Sequence, residues 1–340
     1  MSDFVQACRE AGLHCQTHVP LADLTTLRVG GPARYFLEVR DSSQLLQAVQ
    51  LAREFELPFK VLGNGSNVLV ADNGFDGLVI HNTGRRLEIL DEWPTGFQMP
   101  RQASGLSYLE ENDIPSKSGD ASGQVLVEVE AGCLLQSLIR RLHRHGIWGL
   151  EWFAGIPASV GGAVYMNAHG GPLFFGDFVY RARLLRNTGI ATVPPTYFQF
   201  DYDYSVLHRT GETVIDVTLC LFRGDVSEAR AHFRRWAHAK RNQPRKSAGC
   251  IFRNLSREQQ QRLALPTAST GYFIDKLLGM KGLKIGGAVI SSAHAAFIEN
   301  VGGARAVDVW RLIQFVRHEA RCRYDIELQL EIELIGEFES

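Results

Sequence analysis

Long apolar runs are missing from this chain. No stretch approaches the roughly 18 residues needed to cross a bilayer, and Met1 to Val19, with Asp3, Arg9 and Glu10 among them, holds no apolar run of signal-peptide length. A cytoplasmic protein without membrane insertion is expected. Neither sign of charge is in excess: 36 Lys and Arg nearly cancel 37 Asp and Glu, so no field is strong enough to make nucleic acid or an anionic membrane the main partner. Any anion site must be local. The six cysteines (Cys8, Cys15, Cys133, Cys220, Cys250 and Cys322) form no C-x-x-C pair and have no His at ligand spacing beside them. That argues against a disulfide framework or a zinc site, and no metal is expected. Internal repeats and low-complexity segments are also lacking.

What is present is enough for a sizeable core: 340 residues predict two or three compact units. Tyr35 to Val39 reads as a short strand. Leu45, Leu46, Val49 and Ala52 then share one helical face behind a cap at Asp41, and Phe59 to Leu62 reads as a second strand. From Asp91 to Gly123 the composition turns polar, with Pro94, Pro100 and Pro115, as in an exposed insertion or long hairpin. Leu134, Leu135, Leu138, Ile139 and Leu142 predict a helix stopped at Gly146. Thr213 to Leu221 is strand-like. A basic helical stretch from Val226 to Arg241 leads into a last unit, which ends in a helix over Val307 to Arg321. Beyond it Ile326 to Ile335 alternates apolar and polar residues and predicts a half-buried strand. The boundaries fall at 1–85, 86–223 and 224–340.

Two glycine-rich segments carry the chemistry. Gly63-Asn64-Gly65-Ser66-Asn67, at the end of a strand, offers consecutive backbone N–H groups unobstructed by large side chains. That geometry suits a pyrophosphate, although an isolated segment of this kind reads equally as an ordinary tight turn. It is not a G-x-G-x-x-G fingerprint. Ala154 to Ala168 is so rich in small residues that its backbone must pack closely on something flat or on another backbone.

Together with Thr26-Leu27-Arg28-Val29-Gly30-Gly31-Pro32-Ala33, the loop Leu62 to Leu69 and the block Gly155 to Ala168 resemble the three FAD-binding signatures of the UDP-N-acetylenolpyruvoylglucosamine reductases, in that family's order. The likeness continues through Ser247 to Asn254, Gly279-Met280-Lys281-Gly282, Gly286-Gly287-Ala288, His294 to Asn300 and Leu330-Glu331-Ile332-Glu333, covering roughly Thr25 to Gly336 apart from the 91–123 insertion. It implies an α+β protein: a two-part FAD-binding domain of the vanillyl-alcohol-oxidase (PCMH) type, 1–85 and 86–223, and a C-terminal α+β substrate-binding domain, 224–340. It also implies FAD and NADPH as cofactors. The reaction implied is hydride transfer to the enolpyruvyl group of a UDP-sugar substrate, UDP-N-acetylglucosamine enolpyruvate, by a monomeric enzyme of peptidoglycan precursor synthesis.

The resemblance assigns roles residue by residue. Flavin contacts fall to Arg28, Gly63, Asn64, Gly65, Ser66, Asn67, Val68, Ile156, Pro157, Ser159, Val160, Gly161 and Gly162. Cys250 takes the place of the proton donor to C2, and a thiol near the ordinary value of about 8.5 can donate at neutral pH. Glu331 takes the place of the catalytic glutamate; strand alternation cannot select it, because Glu327, Gln329 and Glu333 lie on the same face. Tyr202, Asn254 and Lys276 are candidate substrate or nicotinamide contacts, and His294 reads as structural. One departure stands out: where the family has Tyr-Arg-x-Ser, this chain has Tyr202-Asp203-Tyr204-Ser205, which removes a guanidinium from beside an anionic substrate. Lys240 or Arg241 could supply the missing cation. A related flavin oxidase and a flavoprotein without turnover are the competing readings.

Overall fold

The computed structural model describes residues 3–92 and 123–338; nearly all of the 91–123 insertion lies outside them. The first sheet runs in the order Gln16–Pro20, Pro32–Val39, Phe75–Asn82, Phe59–Leu62. The last three strands are parallel, and Gln16–Pro20 adds antiparallel. Parallel neighbours need a crossover, supplied by the helix Ser42–Glu54. Asp41 starts that helix by accepting the Gln44 amide at 2.9 Å. Its buried face is Leu45, Ala48, Val49 and Ala52, with Leu46 only half-buried.

The second sheet is antiparallel, in the order Gly189–Val193, Val179–Arg186, Thr213–Arg223, Gln124–Glu130, Leu87–Leu90. Its central strand is buried on both faces from Thr213 to Phe222, which explains why that segment is so apolar throughout. On one side Val217, Leu219 and Leu221 pack with Leu138, Ile139 and Leu142 of the helix Leu135–Arg144. On the other Ile215 joins Leu45 and Val49 of the helix Ser42–Glu54, so that helix is clamped between the two sheets. Gly146 follows the helix Leu135–Arg144 at φ 68° and accepts no further turn.

Beyond Arg223 the helix Ser227–Ala239 leads to a small antiparallel sheet of Lys284–Ile285, Ala288–Ile290 and Ile298–Asn300, packed on the long helix Ala306–Tyr324. The strand expected over Ile326 to Ile335 is shorter than its alternation suggests. Only Glu333–Ile335 joins a ladder, parallel to Val68–Val70. Residues 326–332 keep alternating burial, with Ile326, Leu328 and Ile332 inside. Their neighbour, however, is the irregular segment 250–253, reached through Arg253 N–H to the Gln329 carbonyl (3.0 Å) and Glu331 N–H to the Ile251 carbonyl (2.9 Å). Periodicity reports burial, and a continuous ladder needs a regular partner besides.

The long helix is started from a distant part of the chain: the Asp72 carboxylate accepts from the amides of Ala306 (2.8 Å) and Val307 (3.0 Å). Asp72→Ala leaves both N–H groups without this acceptor and is expected to lower unfolding free energy by about 1 kcal/mol, read as a lower urea midpoint at unchanged slope.

Candidate active site

One cleft of about 1100 Å³ opens where the three parts meet, larger than the roughly 300–1,000 Å³ of ordinary small-ligand pockets. One wall is the loop Gly63–Asn67. Gly65 sits at φ 56°, and a Cβ there would meet the Leu24 carbonyl at 2.2 Å, so only glycine turns the chain at this point. Among the described residues, the backbone N–H groups of Asn64, Gly65, Ser66 and Asn67 find no acceptor within the protein. They form a row of donors open to an anion.

The facing wall is the second glycine-rich segment. Ser159 caps the short helix Val160–Tyr165 by accepting the Gly162 amide at 3.2 Å. The two walls touch: a Cβ on Gly63 would lie 2.1 Å from Ser159 Oγ, and the Asn64 side chain donates to the Pro157 carbonyl at 2.7 Å. Here the sequence expectation of backbone packed against backbone has its physical form.

Cys250, Glu331, Asp203, Lys240 and His169 also line the cleft. Burial pushes the Cys250 thiol up to about 12, reinforced by the carboxylates of Glu331 and Asp203 and opposed by Lys240. The ordinary value expected from sequence does not hold here; the thiol stays protonated but is a weaker acid. Burial, with Asp203 adding to it and Arg253 opposing, raises Glu331 to about 9. Lys240 is pushed down to about 8 by burial, against the pull of Cys250; its stem packs on Gly155 and its ammonium lies 5.3 Å from the Trp236 ring centre. Two neutral acids therefore face the cleft near a partly dehydrated amine.

Of the residues singled out by sequence, Gly63, Asn64, Gly65, Ser66, Asn67, Val68, Ile156, Pro157, Ser159, Gly161, Gly162, Cys250 and Glu331 all line this cleft. Val160 is buried in the core behind it. Arg28, at φ 59°, turns to the Asp23 carbonyl (2.8 Å) and does not line the cleft. Tyr202 and Asn254 also stand outside the lining and hold each other, Asn254 Nδ2 donating to the Tyr202 hydroxyl at 2.7 Å. The Tyr202 hydroxyl is raised first by burial and then by Asp203, Glu331 and Cys250, so Tyr202 lies near the acids, while Asn254 is exposed. Lys276 is exposed and pairs with Asp275 at 3.4 Å. His294 closes a local turn, Nδ1 accepting the Ala296 amide at 3.3 Å, away from the cleft.

Lys240 and Arg241 both line the cleft, but neither pairs with the Asp203 carboxylate. That carboxylate meets His169, Oδ1 to Nδ1 at 3.1 Å. The sequence reading missed His169, which lies at the edge of the small-residue block with no motif of its own. It also gave no role to Arg253, whose Nη2 donates to the Asp203 carbonyl at 3.0 Å. Among the described residues no helix is long and apolar enough to cross a membrane, and no cluster of side chains could hold a metal.

A cleft of this size, walled by bare backbone donors and closed by small residues, is the site of a flavoprotein. The cradle fits a pyrophosphate-bearing dinucleotide, and residues 119–192 match the FAD binding domain. The chain binds FAD. Residues 241–335 match the UDP-N-acetylenolpyruvoylglucosamine reductase C-terminal domain. The chain is 34% identical over 337 residues to the UDP-N-acetylenolpyruvoylglucosamine reductase of Moorella thermoacetica, with 96% of each chain covered. It is 35% identical over 350 residues to that of Synechococcus sp. (strain CC9311), covering 98% of this chain and 96% of the other. The crystal structure of the Thermus caldophilus enzyme superposes with a TM-score of 0.69 at 33% identity, over 95% of this chain and 100% of that one. The chain belongs to the UDP-N-acetylenolpyruvoylglucosamine reductase family, and its fold is the α+β fold of that structure.

Two outcomes follow. Gly63→Ala drives a methyl group into Ser159 and spreads the walls, so flavin retained through gel filtration should fall and the dissociation constant rise roughly tenfold or more. Glu331 keeps a proton in the folded state that the unfolded chain releases, so its contribution to stability is complete below about 4.5 and is lost as pH rises toward about 9. Urea unfolding of the purified protein across that window should show stability falling with pH, with a shallower fall in Glu331→Gln.

Proposed function

We propose that this chain is the NADPH-dependent reductase that converts UDP-N-acetylglucosamine enolpyruvate to UDP-N-acetylmuramate. The division of labour is 1–85 and 86–223 around the flavin and 224–340 over the substrate. The observation that carries the reading is the meeting of Cys250 and Glu331, 81 positions apart in sequence, in one flavin cleft where both are held protonated. Gly63–Asn67 and Ile156–Gly162 would hold FAD, which when bound would supply the hydride chemistry.

The protein's part is to position and to manage protons. Hydride arriving at the methylene carbon of the enolpyruvyl group leaves an electron pair at C2. Cys250, which lines the cleft as a thiol, delivers its proton there, and the thiolate is reprotonated from solvent. Burial makes the thiol a reluctant acid in the free enzyme, so the transfer relies on the much stronger basicity of the developing carbanion. Glu331, neutral for the same reason, donates a hydrogen bond to the substrate carboxylate as charge gathers on it. Ionised, it would repel that carboxylate. Tyr202 and Asn254 stand beside the acids, and Lys240 and Arg241 line the cleft as cations for an anionic substrate. The same reading makes the protein a cytoplasmic monomer whose partner is a small UDP-sugar. Asp203 is the feature that favours a flavoprotein without turnover, and that alternative requires reduction by NADPH with no reoxidation by the enolpyruvyl substrate.

Anaerobic reduction with NADPH followed by mixing with UDP-N-acetylglucosamine enolpyruvate is the test. The flavin band should bleach and then return, with UDP-N-acetylmuramate formed in equal amount. Cys250→Ala should bleach at the parent rate and recover about a hundredfold or more slowly. A parent protein that never recovers sinks the reductase, and recovery of Cys250→Ala at the parent rate removes Cys250 from the chemistry.

A further inference from the structure

The residue that replaces the family's arginine does not leave an empty place. Asp203 is 2% exposed and held in the left-handed region at φ 48°, a conformation Asp tolerates but does not seek. It is fixed there by the Asp201–Tyr204 turn and by Arg253, which donates to its carbonyl. Its Oδ2 is buried and, among the described residues, has no hydrogen-bond partner. Its Oδ1 lies 3.1 Å from His169 Nδ1.

His169 is set with equal care. It opens the short hairpin His169–Gly170 with Leu173–Phe174. The hairpin is seated on Trp152, since a Cβ at Gly170 or Gly171 would collide with that residue at 2.4 and 2.3 Å. The imidazole stacks on Tyr202 with centroids 5.5 Å apart, with Phe174 at 6.3 Å. Its side chain is 40% exposed and lines the cleft with Cys250 and Glu331. A carboxylate can only accept, so Nδ1 carries the proton. Among the described residues Nε2 makes no hydrogen bond.

We propose that His169, fixed by Asp203, is a substrate-binding residue whose Nε2 makes a hydrogen bond to a polar group of the substrate. The proposal rests on the reductase reading above. A guanidinium at 203 would reach the substrate itself; here a neighbouring side chain takes the contact, and Asp203 becomes the group that orients it. The groups facing the imidazole are Asp203 and Tyr202 from the 201–204 turn and Phe174 from its own hairpin; Lys240, Cys250 and Glu331 share the cleft.

The test separates the two ring nitrogens. His169→Asn places an amide nitrogen near the Nδ1 position, keeping Asp203 satisfied while deleting Nε2; His169→Gln reaches instead toward the Nε2 position. Binding of UDP-N-acetylglucosamine enolpyruvate to the oxidised holoenzyme is followed by the change in flavin absorbance, alongside reduction by NADPH. H169N should bind about tenfold or more weakly while keeping its flavin and its parent rate of reduction, and H169Q should recover part of the loss. D203N should weaken binding as well, and adding it to H169N should cost little more, because the two act through one contact. Parent affinity in H169N overturns the assignment. So does a loss accompanied by loss of flavin or slowed reduction, which would mean damage to the whole cleft. A parent enzyme that is not reoxidised by this compound brings down the proposed function and this assignment with it; a parent that turns over beside an H169N that binds equally well brings down only the assignment.

Discussion

Asn67 ties the two ends of the chain together. Its side chain donates to the Glu331 carbonyl at 3.0 Å, and its own carbonyl accepts the Glu333 amide at 2.9 Å. From there Val68–Val70 and Glu333–Ile335 run on as a parallel pair. The residue that ends the anion cradle thus fixes the height at which the carboxyl of Glu331 enters the cleft, across more than 260 positions of sequence. Two sheets and a C-terminal unit meet here, with Leu27, Val29 and Leu69 already packed in the C-terminal core. This short ladder, with Asp72 capping the long helix, holds them in one register. Interactions of this kind are modest singly, but they act where geometry matters most, between cofactor site and acid.

Much of the site's chemistry follows from the burial of its titratable groups. A thiol, a carboxyl and an amine packed near a buried carboxylate each lean toward their neutral form. Such a cleft favours a substrate that brings its own negative charge, provided some donor meets it. It also holds protons ready, because burial first and Asp203 after it favour the protonated form of both acids. The cost falls on stability at alkaline pH. Asp203 alters this balance in a way a simple charge count would misread, since its partner is an imidazole at the cleft wall and not the substrate.

The glycine-rich segments were legible in sequence because their job is local: only small residues let two backbones approach, and the composition records it at Gly63, Gly65 and Gly161. The crossover helix behind Asp41 and the buried strand Thr213 to Phe222 were equally plain, the one from periodicity and the other from an unbroken apolar run. The strand from Ile326 was overread, because alternating burial survives beside an irregular neighbour while the hydrogen-bond ladder does not. Glu331 could not be told from Glu327 or Gln329 by pattern: Glu327 turned out to pair with Arg317 at the surface, a difference that depends on what lies opposite.

By itself the sequence determined the class of protein, since family signatures, cap residues and glycine spacing are written in consecutive residues and depend on short-range sterics. Tertiary structure alone decided which side chains share an environment. Arg28 faces Asp23 and not the cleft, Lys276 stays with Asp275, Cys250 loses its ordinary acidity, and His169 meets Asp203 across 34 residues. Burial and charge act through space, and no spacing along the chain encodes the distance at which they are felt.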